Sequence, residues 1–395
     1  MSRSAAEIEA DLGPLAERVP VRLALQELGQ PGSRRRIPTP CATVDLDALE
    51  RNIARMAARA RAAGLALRPH AKSNKCATIA RLQLAAGASG VCCAKLGEAE
   101  AMARADIGPI LITSPLSGAP NAARAAALGG ISPGLRIVVD HVDGVRELGE
   151  AAKAASVKLE LVIDIDVGLG RTGVSSAEQA ADVARAISAD PALTLAGVQA
   201  YGGQWQHMTG ANERAAAVAD GMVILKDRIA AIELTGTKVM LITGGGTGTF
   251  EADAAQGTLN EVQTGSYVFM DREYRDALGQ DADGAFEQSL LIQAQVISAN
   301  AKAWVTVDAG LKAFSTDGPL PVAATPGYEA CTFRYFGDEH GLLMRPKDRP
   351  IARGDRIDFV PPHCDPTIDR YDLLYLVRNE VLVDIVRVEA RGLSA

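Results

Sequence analysis

The feature that most constrains the fold is a regular alternation, from about residue 40 to residue 265, of short apolar runs with longer alanine-rich stretches. Short β-branched runs predict strands, and apolar residues spaced three and four apart predict amphipathic helices. We expect helices at about 46–63, 75–87, 96–105, 119–129, 142–155, 175–189 and 212–235. Strands are expected to begin near residues 65, 90, 110, 136, 158, 195, 238 and 261. Parallel strands alternating with helices in this number predict an α/β fold, a (β/α)8 TIM barrel.

The pattern changes after the last of these strands. Beyond about residue 286 the helical stretches stop, and strand-like runs separated by Gly and Pro turns follow. This pattern predicts a second, mainly β domain. We therefore expect an irregular N-terminal arm at 1–38, a barrel at 39–285 and a β domain at 286–395, which the short strand near 41–44 can join.

Composition excludes several classes of protein. The net charge of −7, from 48 acidic and 41 basic residues, provides no basic surface for nucleic acid. No apolar run reaches the roughly 18 residues of a membrane span, and the first residues lack a signal peptide, so we expect a soluble, cytoplasmic protein. The six cysteines lack CxxC spacing, which favours buried thiols over disulfides or a zinc site.

In a TIM barrel the active site lies at the C-terminal ends of the strands, often with a phosphate site after strands seven and eight. Polar and glycine residues follow five of the expected strands here: His70 and Lys72, Arg171, Tyr201 and His207, Gly244-Gly245-Gly246-Thr247-Gly248, and Gly265-Ser266-Tyr267. The barrel therefore predicts that these residues converge at one end.

The glycine-rich turn at 244–248 suits a phosphate monoester, because successive backbone N–H groups can approach the anion and Thr247 adds a hydroxyl. By itself such a run is more often a tight turn, and its position after the seventh strand is what favours a phosphate site. A second glycine motif, at 168–173, matches GxGxxG. We do not interpret it as a dinucleotide site, because the following strand does not end in a ribose-binding acid.

A lysine at a strand end beside a phosphate site is a candidate Schiff-base partner for pyridoxal phosphate. Lys72 has this position, whereas Lys75 and Lys95 enter helices and are interpreted as solvated surface charges. Near the other end of the chain, His363 and Asp365 are two residues apart. In an extended segment residues two apart share a face, so both can bind one divalent cation while Cys364 points away. A structural turn with a capping aspartate remains open there.

Four segments carry a family resemblance: Arg68-Pro69-His70-Ala71-Lys72, the 244–248 turn, Gly265-Ser266-Tyr267, and Pro362-His363-Cys364-Asp365-Pro366-Thr367. With them the chain resembles, from about residue 38 to its end, the D-threonine aldolase and D-3-hydroxyaspartate aldolase family. These are alanine racemase-like, fold type III pyridoxal-phosphate enzymes. The resemblance implies retro-aldol cleavage of β-hydroxy D-amino acids to glycine and an aldehyde.

The resemblance also implies roles for individual residues. Lys72 would be the Schiff-base lysine and His207 the catalytic base. Arg171 would contact the pyridine nitrogen. The remaining cofactor contacts would come from Tyr201, Gly245, Gly246, Thr247, Gly248, Gly265 and Ser266. His363 and Asp365 would bind Mn²⁺ or Mg²⁺. A homodimer is implied by the family alone.

The chain departs from the family at Ala94, where relatives tend to carry glutamine. One alternative is a D-serine or 3-hydroxyaspartate dehydratase, which releases ammonia and a keto acid. The family that such a dehydratase resembles has a His-x-Cys motif at its metal, whereas this chain has Asp365 in place of the cysteine. A racemase would need no metal pair, and a noncatalytic pyridoxal-phosphate carrier would not need the second domain. The sequence leaves open the aldehyde, acetaldehyde or glyoxylate, and the metal.

Overall fold

The computed structural model describes residues 3–279, 285–345 and 350–395. The chain divides into two compact units. The barrel unit comprises Ala54–Lys72, Ile79–Gly265 and Leu393–Ala395. The β unit comprises Met1–Ile53, Ser73–Thr78 and Ser266–Gly392. Over the described ranges, no helix is both long enough and apolar enough to cross a membrane.

The strands, in chain order, are β1 (Cys41–Asp45), β2 (Ala66–Leu67), β3 (Val91–Cys93), β4 (Ile110–Ile112), β5 (Arg136–Val139), β6 (Leu159–Ile165), β7 (Leu193–Ala200), β8 (Leu241–Gly244), β9 (Glu261–Val262), β10 (Leu290–Ser298), β11 (Trp304–Val307), β12 (Val322–Ala323), β13 (Phe333–Tyr335), β14 (Gly341–Met344), β15 (Arg356–Val360), β16 (Leu373–Arg378) and β17 (Val381–Arg387). The α-helices are α1 (Ala5–Leu12), α2 (Val19–Gln26), α3 (Leu46–Ala62), α4 (Ala77–Ala85), α5 (Leu96–Arg104), α6 (Ala119–Ile131), α7 (Val142–Ala155), α8 (Ala177–Ser188), α9 (Ala211–Glu233), α10 (Phe250–Gln256), α11 (Arg272–Leu278) and α12 (Cys364–Ile368).

The barrel unit contains eight parallel strands in the order β2-β9-β8-β7-β6-β5-β4-β3. A parallel bridge between His70, just beyond β2, and Cys92 of β3 closes the circle. The seven expected helices are present as α3 to α9, with ends within two residues of those predicted. The sequence-based prediction of an α/β (β/α)8 barrel with a second, mainly β part is therefore confirmed.

The inside of the barrel changes from apolar to polar along the strands. Cys92, Leu111, Val138 and Val162 form an apolar cluster from four successive strands. Two residues further along β6, the Asp164 carboxylate accepts a hydrogen bond of 2.9 Å from the Gln199 amide. Parallel strands place these polar side chains at the same end, which is the end where barrel active sites lie.

The β unit is built on a nine-stranded sheet whose main path runs β13-β14-β11-β10-β1-β16-β17, with β15 also pairing β10 and β12. Strand β1 lies antiparallel to β10 and parallel to β16. Phe314, Phe333 and Phe359 pack edge to face in its core, with ring centroids 5.3–5.8 Å apart. Such pairs favour the edge-to-face arrangement because the positive ring edge meets the negative face.

The prediction of an irregular arm at 1–38 is wrong, because α1 and α2 occupy much of it. Ser4 caps α1, accepting a hydrogen bond from the Glu7 N–H while the Glu7 carboxylate accepts one from the Ser4 N–H. Ile8 and Leu12 are fully buried and pack with β16 and β17. Helices of eight residues are marginal alone, so their stability comes from this packing, which local sequence does not reveal.

Candidate active site

Lys72 lies just beyond β2, in a short 3-10 helix formed by Ala71–Ser73. Its backbone N–H donates to Nδ1 of His70 at 3.4 Å, and Nε2 of the same ring lies 3.1 Å from the Thr113 hydroxyl. Because Nδ1 accepts, Nε2 carries the proton and donates to Thr113. The buried His70 ring therefore fixes the backbone from which Lys72 projects.

Three residues from different strand ends meet at one aromatic ring. The Lys72 amine lies 5.9 Å from the centroid of the Tyr201 ring, and the Arg171 guanidinium lies 5.5 Å from it. These distances are within the range of cation–π attraction. Lys72, Arg171 and Tyr201, which lie far apart in sequence, are thus brought together within the barrel unit.

The loop that carries Arg171 is held by carboxylates of its own region. The Asp166 carboxylate accepts from the N–H groups of Gly168 and Gly170, at 2.9 and 3.0 Å. The Thr172 hydroxyl donates to Asp164 at 2.7 Å. Two amides of the GxGxxG motif are thus already bound to an aspartate, which agrees with the interpretation that it is not a dinucleotide site. Burial raises the pKa of Asp164, while hydrogen bonds from Gln199 and Thr172 act in the opposite direction.

The glycine-rich turn follows β8, and its amides are partly used within the chain. The Gly246 N–H donates to the Thr249 hydroxyl at 3.1 Å, and the Gly248 N–H donates to the Gln206 side-chain oxygen at 3.0 Å. Gly245 has a φ of 67°, a conformation that glycine adopts without strain. These bonds shape the turn, so an anion there would depend on donors other than Gly246 and Gly248 alone.

Donors of that kind are present at the next strand end. Gly265 is the last residue of its segment of the barrel unit, and Ser266 begins a 3-10 helix of the β unit. Within the described ranges, the backbone N–H groups of these two adjacent residues have no acceptor. Two neighbouring amides without acceptors are a recurrent anion-binding arrangement.

His207 is exposed on the segment that follows β7. This segment begins with a 3-10 helix, Gly203–Trp205, and the next residue, Gln206, is buried with its side chain bonded to the glycine-rich turn. The exposed position leaves the His207 imidazole accessible to a small molecule.

In the β unit, His363 and Asp365 lie at the start of a helix, so the predicted extended segment is wrong. His363 is the N-cap of α12, and Asp365 lies in its first turn, where Pro366 is also tolerated. The outcome for Cys364 is nevertheless the expected one, because its side chain is fully buried and the two flanking side chains are only partly buried. The Asp365 carboxylate accepts from the Ser266 hydroxyl at 3.4 Å.

Carboxylates surround the His363 ring. Its Nδ1 lies 2.8 Å from the Asp317 carboxylate and 3.9 Å from that of Glu273. Burial opposes a positive charge on His363, but Asp365, Asp317 and Asp271 hold its pKa above the ordinary value. The contact between Nδ1 and the Asp317 carboxylate orients the His363 ring. In the described parts of the chain, no cluster of three or more His, Cys, Asp or Glu side chains could hold a metal.

Three features of these regions were not predicted from the sequence. His70 stands in the Arg68–Lys72 segment, but its spacing does not reveal the bond to Thr113. Asp317 lies 46 residues from His363, and no local pattern connects them. Lys75, interpreted as a solvated charge, is 8% exposed and pairs with Asp369 at 2.9 Å. That interpretation is wrong because Lys75 lies within the β unit, where Asp369 and the Ala390 carbonyl contact its amine.

Comparison with known proteins agrees with this arrangement. The family described as alanine racemase, N-terminal domain, matches residues 44–273, and a putative serine dehydratase domain matches residues 289–377. A 3-hydroxy-D-aspartate aldolase from Paracoccus denitrificans (strain Pd 1222) is 38% identical over 361 residues, covering 90% of this chain and 92% of its own. A D-threonine aldolase from Arthrobacter sp is 36% identical over 375 residues, covering 94% of this chain and 98% of its own.

Solved structures support the same relationship. The crystal structure of D-threonine aldolase from Filomicrobium marinum superposes with a TM-score of 0.87 at 35% identity, covering 91% of this chain and 97% of that one. By sequence, a D-threo-3-hydroxyaspartate dehydratase from Delftia sp. (strain HT23) is more distant, at 32% identity over 354 residues, covering 84% of this chain and 92% of its own. The chain therefore belongs to the D-threonine aldolase and 3-hydroxy-D-aspartate aldolase family, a group of carbon–carbon lyases built on the alanine racemase-like, pyridoxal-phosphate-binding fold.

Proposed function

We propose that this chain cleaves β-hydroxy D-amino acids, D-threonine or D-3-hydroxyaspartate, to glycine and an aldehyde, using pyridoxal phosphate and a divalent cation. The observation that carries the proposal within the structure is the meeting of Lys72 and Arg171 at the Tyr201 ring, 5.9 and 5.5 Å from its centroid. The sequence identity of 36–38% between this chain and aldolases, over most of its length, supports the same reaction.

Residues at several strand ends fit pyridoxal phosphate by their chemistry. Lys72 would supply the amine that holds the cofactor covalently, and Tyr201 an aromatic face beside that amine. Arg171 would contact the pyridine nitrogen but would not protonate it, since a guanidinium does not give up its proton in proteins. Gly265 and Ser266, with acceptor-free N–H groups, and the turn from Gly245 to Gly248 with the Thr247 hydroxyl, would hold the phosphate.

His363 and Asp365 would hold the cation. An imidazole nitrogen and a carboxylate oxygen, completed by water, suit Mn²⁺ or Mg²⁺. Burial raises the pKa of nearby Glu273, His363 acts in the opposite direction, and Asp271, Asp317 and Asp365 raise it further. This concentration of acidic groups around one imidazole favours a cation, while the bond from Asp317 orients the His363 ring.

When bound, pyridoxal phosphate supplies an electron sink for the electron pair left on Cα, and the cation lowers the pKa of the β-hydroxyl. His207 removes the β-hydroxyl proton, and the Cα–Cβ bond breaks to release the aldehyde. A proton delivered to Cα then completes glycine. Because the Arg171 guanidinium keeps its proton, it would not strengthen the electron sink by protonating the cofactor, and more of the activation would depend on the cation and on His207.

A dehydratase is the competing reaction on this fold. It would remove water and then ammonia from the same substrates and leave a keto acid. The chain's Asp365, in place of a soft thiolate ligand, favours a hard cation over zinc and therefore the aldolase. The lower identity with the dehydratase, 32% over 354 residues, points the same way.

The test is a product assay on the chain purified with pyridoxal phosphate. We expect D-threonine, D-3-hydroxyaspartate or both to yield glycine and an equimolar aldehyde with Mn²⁺, and expect EDTA to abolish the release. Ammonia and a keto acid in place of glycine would refute the proposal and identify a dehydratase. Borohydride reduction followed by peptide mapping should place the cofactor on Lys72. Lys226→Ala, an exposed lysine on α9, is the matched control that should behave as the unaltered chain.

The family also implies a homodimer, which we propose for this chain. Light scattering on the eluted protein should give twice the mass of the 41.3 kDa chain. A mass equal to that of one chain would refute it.

A further inference from the structure

The Gln206 side chain is buried, with 1% of its surface exposed, in the segment that follows β7. Its amide nitrogen donates to the Thr249 hydroxyl at 3.0 Å and to the Gly202 carbonyl at 3.3 Å. Its amide oxygen accepts from the Gly248 N–H at 3.0 Å. One side chain therefore bonds to the segment after β7 and to the turn after β8.

The turn side of this network is anchored further. The Thr249 hydroxyl accepts from the Gly246 N–H at 3.1 Å and donates to the Asp253 carboxylate on α10 at 2.6 Å. The Thr249 hydroxyl thus links the side chains of Gln206 and Asp253 to the backbone of the glycine-rich turn. These are buried hydrogen bonds, so removing one partner leaves a polar group without water to replace it.

The glycines of the turn fit this network sterically. A Cβ atom built on Gly246 would overlap the side-chain amide of Gln206, and one built on Gly248 would overlap the Gln206 backbone carbonyl. The close approach between the two segments therefore requires glycine at both positions. The glycine run, which the sequence associates with an anion, is also the surface against which Gln206 packs.

The next residue along the chain is His207, the proposed base. The residue before Gln206, Trp205, is 7% exposed and packs against Gly221 of α9, where a Cβ would overlap the indole ring. Two successive side chains are thus fixed to different elements, Trp205 to a helix and Gln206 to the turn. The backbone that leads into His207 is set by both anchors.

We propose that Gln206 is a positioning residue that ties the 244–248 turn to the segment presenting His207, an inference that rests on the cofactor and base roles proposed above. By this arrangement the turn that contributes to the phosphate site and the segment that carries the base share one buried amide. Displacing the amide therefore loosens both at once.

The experiment compares Gln206→Met, which keeps side-chain length but removes the hydrogen bonds, with Gln204→Met at an exposed position in the short helix that precedes Gln206. For Gln206→Met we expect the dissociation constant for pyridoxal phosphate to rise about 10- to 100-fold in titrations of the apoprotein. At saturating cofactor we expect kcat to stay about tenfold low with a nearly unchanged KM, because His207 remains displaced. Gln204→Met should match the unaltered chain in every measurement.

Two outcomes would overturn the inference. A cofactor dissociation constant and kcat within about twofold of the unaltered chain would show that Gln206 positions neither segment. Full recovery of kcat at saturating cofactor would confine Gln206 to the turn and remove the link to His207. If Gln206→Met does not fold, Thr249→Val and Thr249→Ser replace it, with the serine, which retains the hydroxyl, expected to restore both values.

Amide hydrogen exchange on the apoprotein separates this inference from the proposed function. We expect Gln206→Met to speed exchange in both 203–209 and 244–249, relative to Gln204→Met. Unchanged exchange in either segment would refute the link whether or not the chain is an aldolase. Failure of the unaltered chain to bind pyridoxal phosphate would instead refute the proposed function, and the exchange result would still decide the role of Gln206.

Discussion

Replacing Asp253 by asparagine tests the physical account of the turn through the pH dependence of stability. The Asp253 side chain is 2% exposed, and its carboxylate accepts a hydrogen bond of 2.6 Å from the Thr249 hydroxyl. Burial raises its pKa from an ordinary 3.8 to about 7, against the opposing effect of hydrogen bonds from Thr249 and Gly246. Asparagine keeps an acceptor oxygen for Thr249 and removes the titration.

The direction in which the free energy of unfolding changes with pH follows from proton linkage. The folded-state pKa of Asp253 lies above the unfolded value, so between the two the folded chain binds the proton more tightly. Its contribution to stability is complete below about pH 4 and is lost as pH rises through about 7. Integrating from pH 5 to pH 8 gives a loss of roughly 2.5 kcal/mol in the free energy of unfolding, relative to Asp253→Asn.

The assay is urea unfolding at pH 5, 6, 7 and 8, in a Trp304→Phe background. The chain has two tryptophans, so fluorescence in this background reports on Trp205 and hence on the barrel unit. The exposed Asp220→Asn on α9 is the control and should leave the pH dependence unchanged. A difference between Asp253→Asn and the parent that stays constant within about 0.5 kcal/mol from pH 5 to 8 would refute the reasoning.

Three further changes test other parts of the structure. Lys72→Ala should abolish both the visible absorbance of bound cofactor and glycine release, because it removes the amine that holds pyridoxal phosphate; retained covalent cofactor would contradict this assignment. Asp317→Ala should weaken Mn²⁺ binding about 10- to 100-fold by calorimetry, since the His363 ring loses its orienting carboxylate, whereas exposed Asp338→Ala should leave it unchanged. Leu12→Ala should lower the free energy of unfolding of the β unit by about 2–5 kcal/mol, and a cost no larger than that of Leu23→Ala, 48% exposed on α2, would contradict the packing described for α1.

Much of the fold could be predicted because it depends on local pattern. Period and length identified the barrel helices, and glycines such as Gly64 placed their ends. The eight-strand count, with the general rule for such barrels, gave the end of the barrel where Lys72, Arg171 and Tyr201 lie. Identity of the family followed from motifs that are specific only together.

The errors share a physical cause. The helices α1 and α2 are too short to be stable by propensity, and Ile8 and Leu12 become a core only against β16 and β17. Lys75 is buried and pairs with Asp369, which lies almost 300 residues away in the sequence. The backbone at His363 and Asp365 was expected to be extended, but the Asp271 carboxylate accepts the Cys364 N–H at the start of a helix there.

The sequence by itself determined the barrel, the second β part, the family and the set of candidate site residues. Hydrophobic periodicity, turn residues and motifs each depend on residues that are close together in the sequence. Only the tertiary structure decided which polar groups are satisfied and by what. The tautomer of His70, the carboxylate that holds His363 and the use of two turn amides by Gln206 and Thr249 all depend on partners from other elements. Hydrogen bonds act within about 3 Å, and proximity between distant residues exists only after the chain has folded.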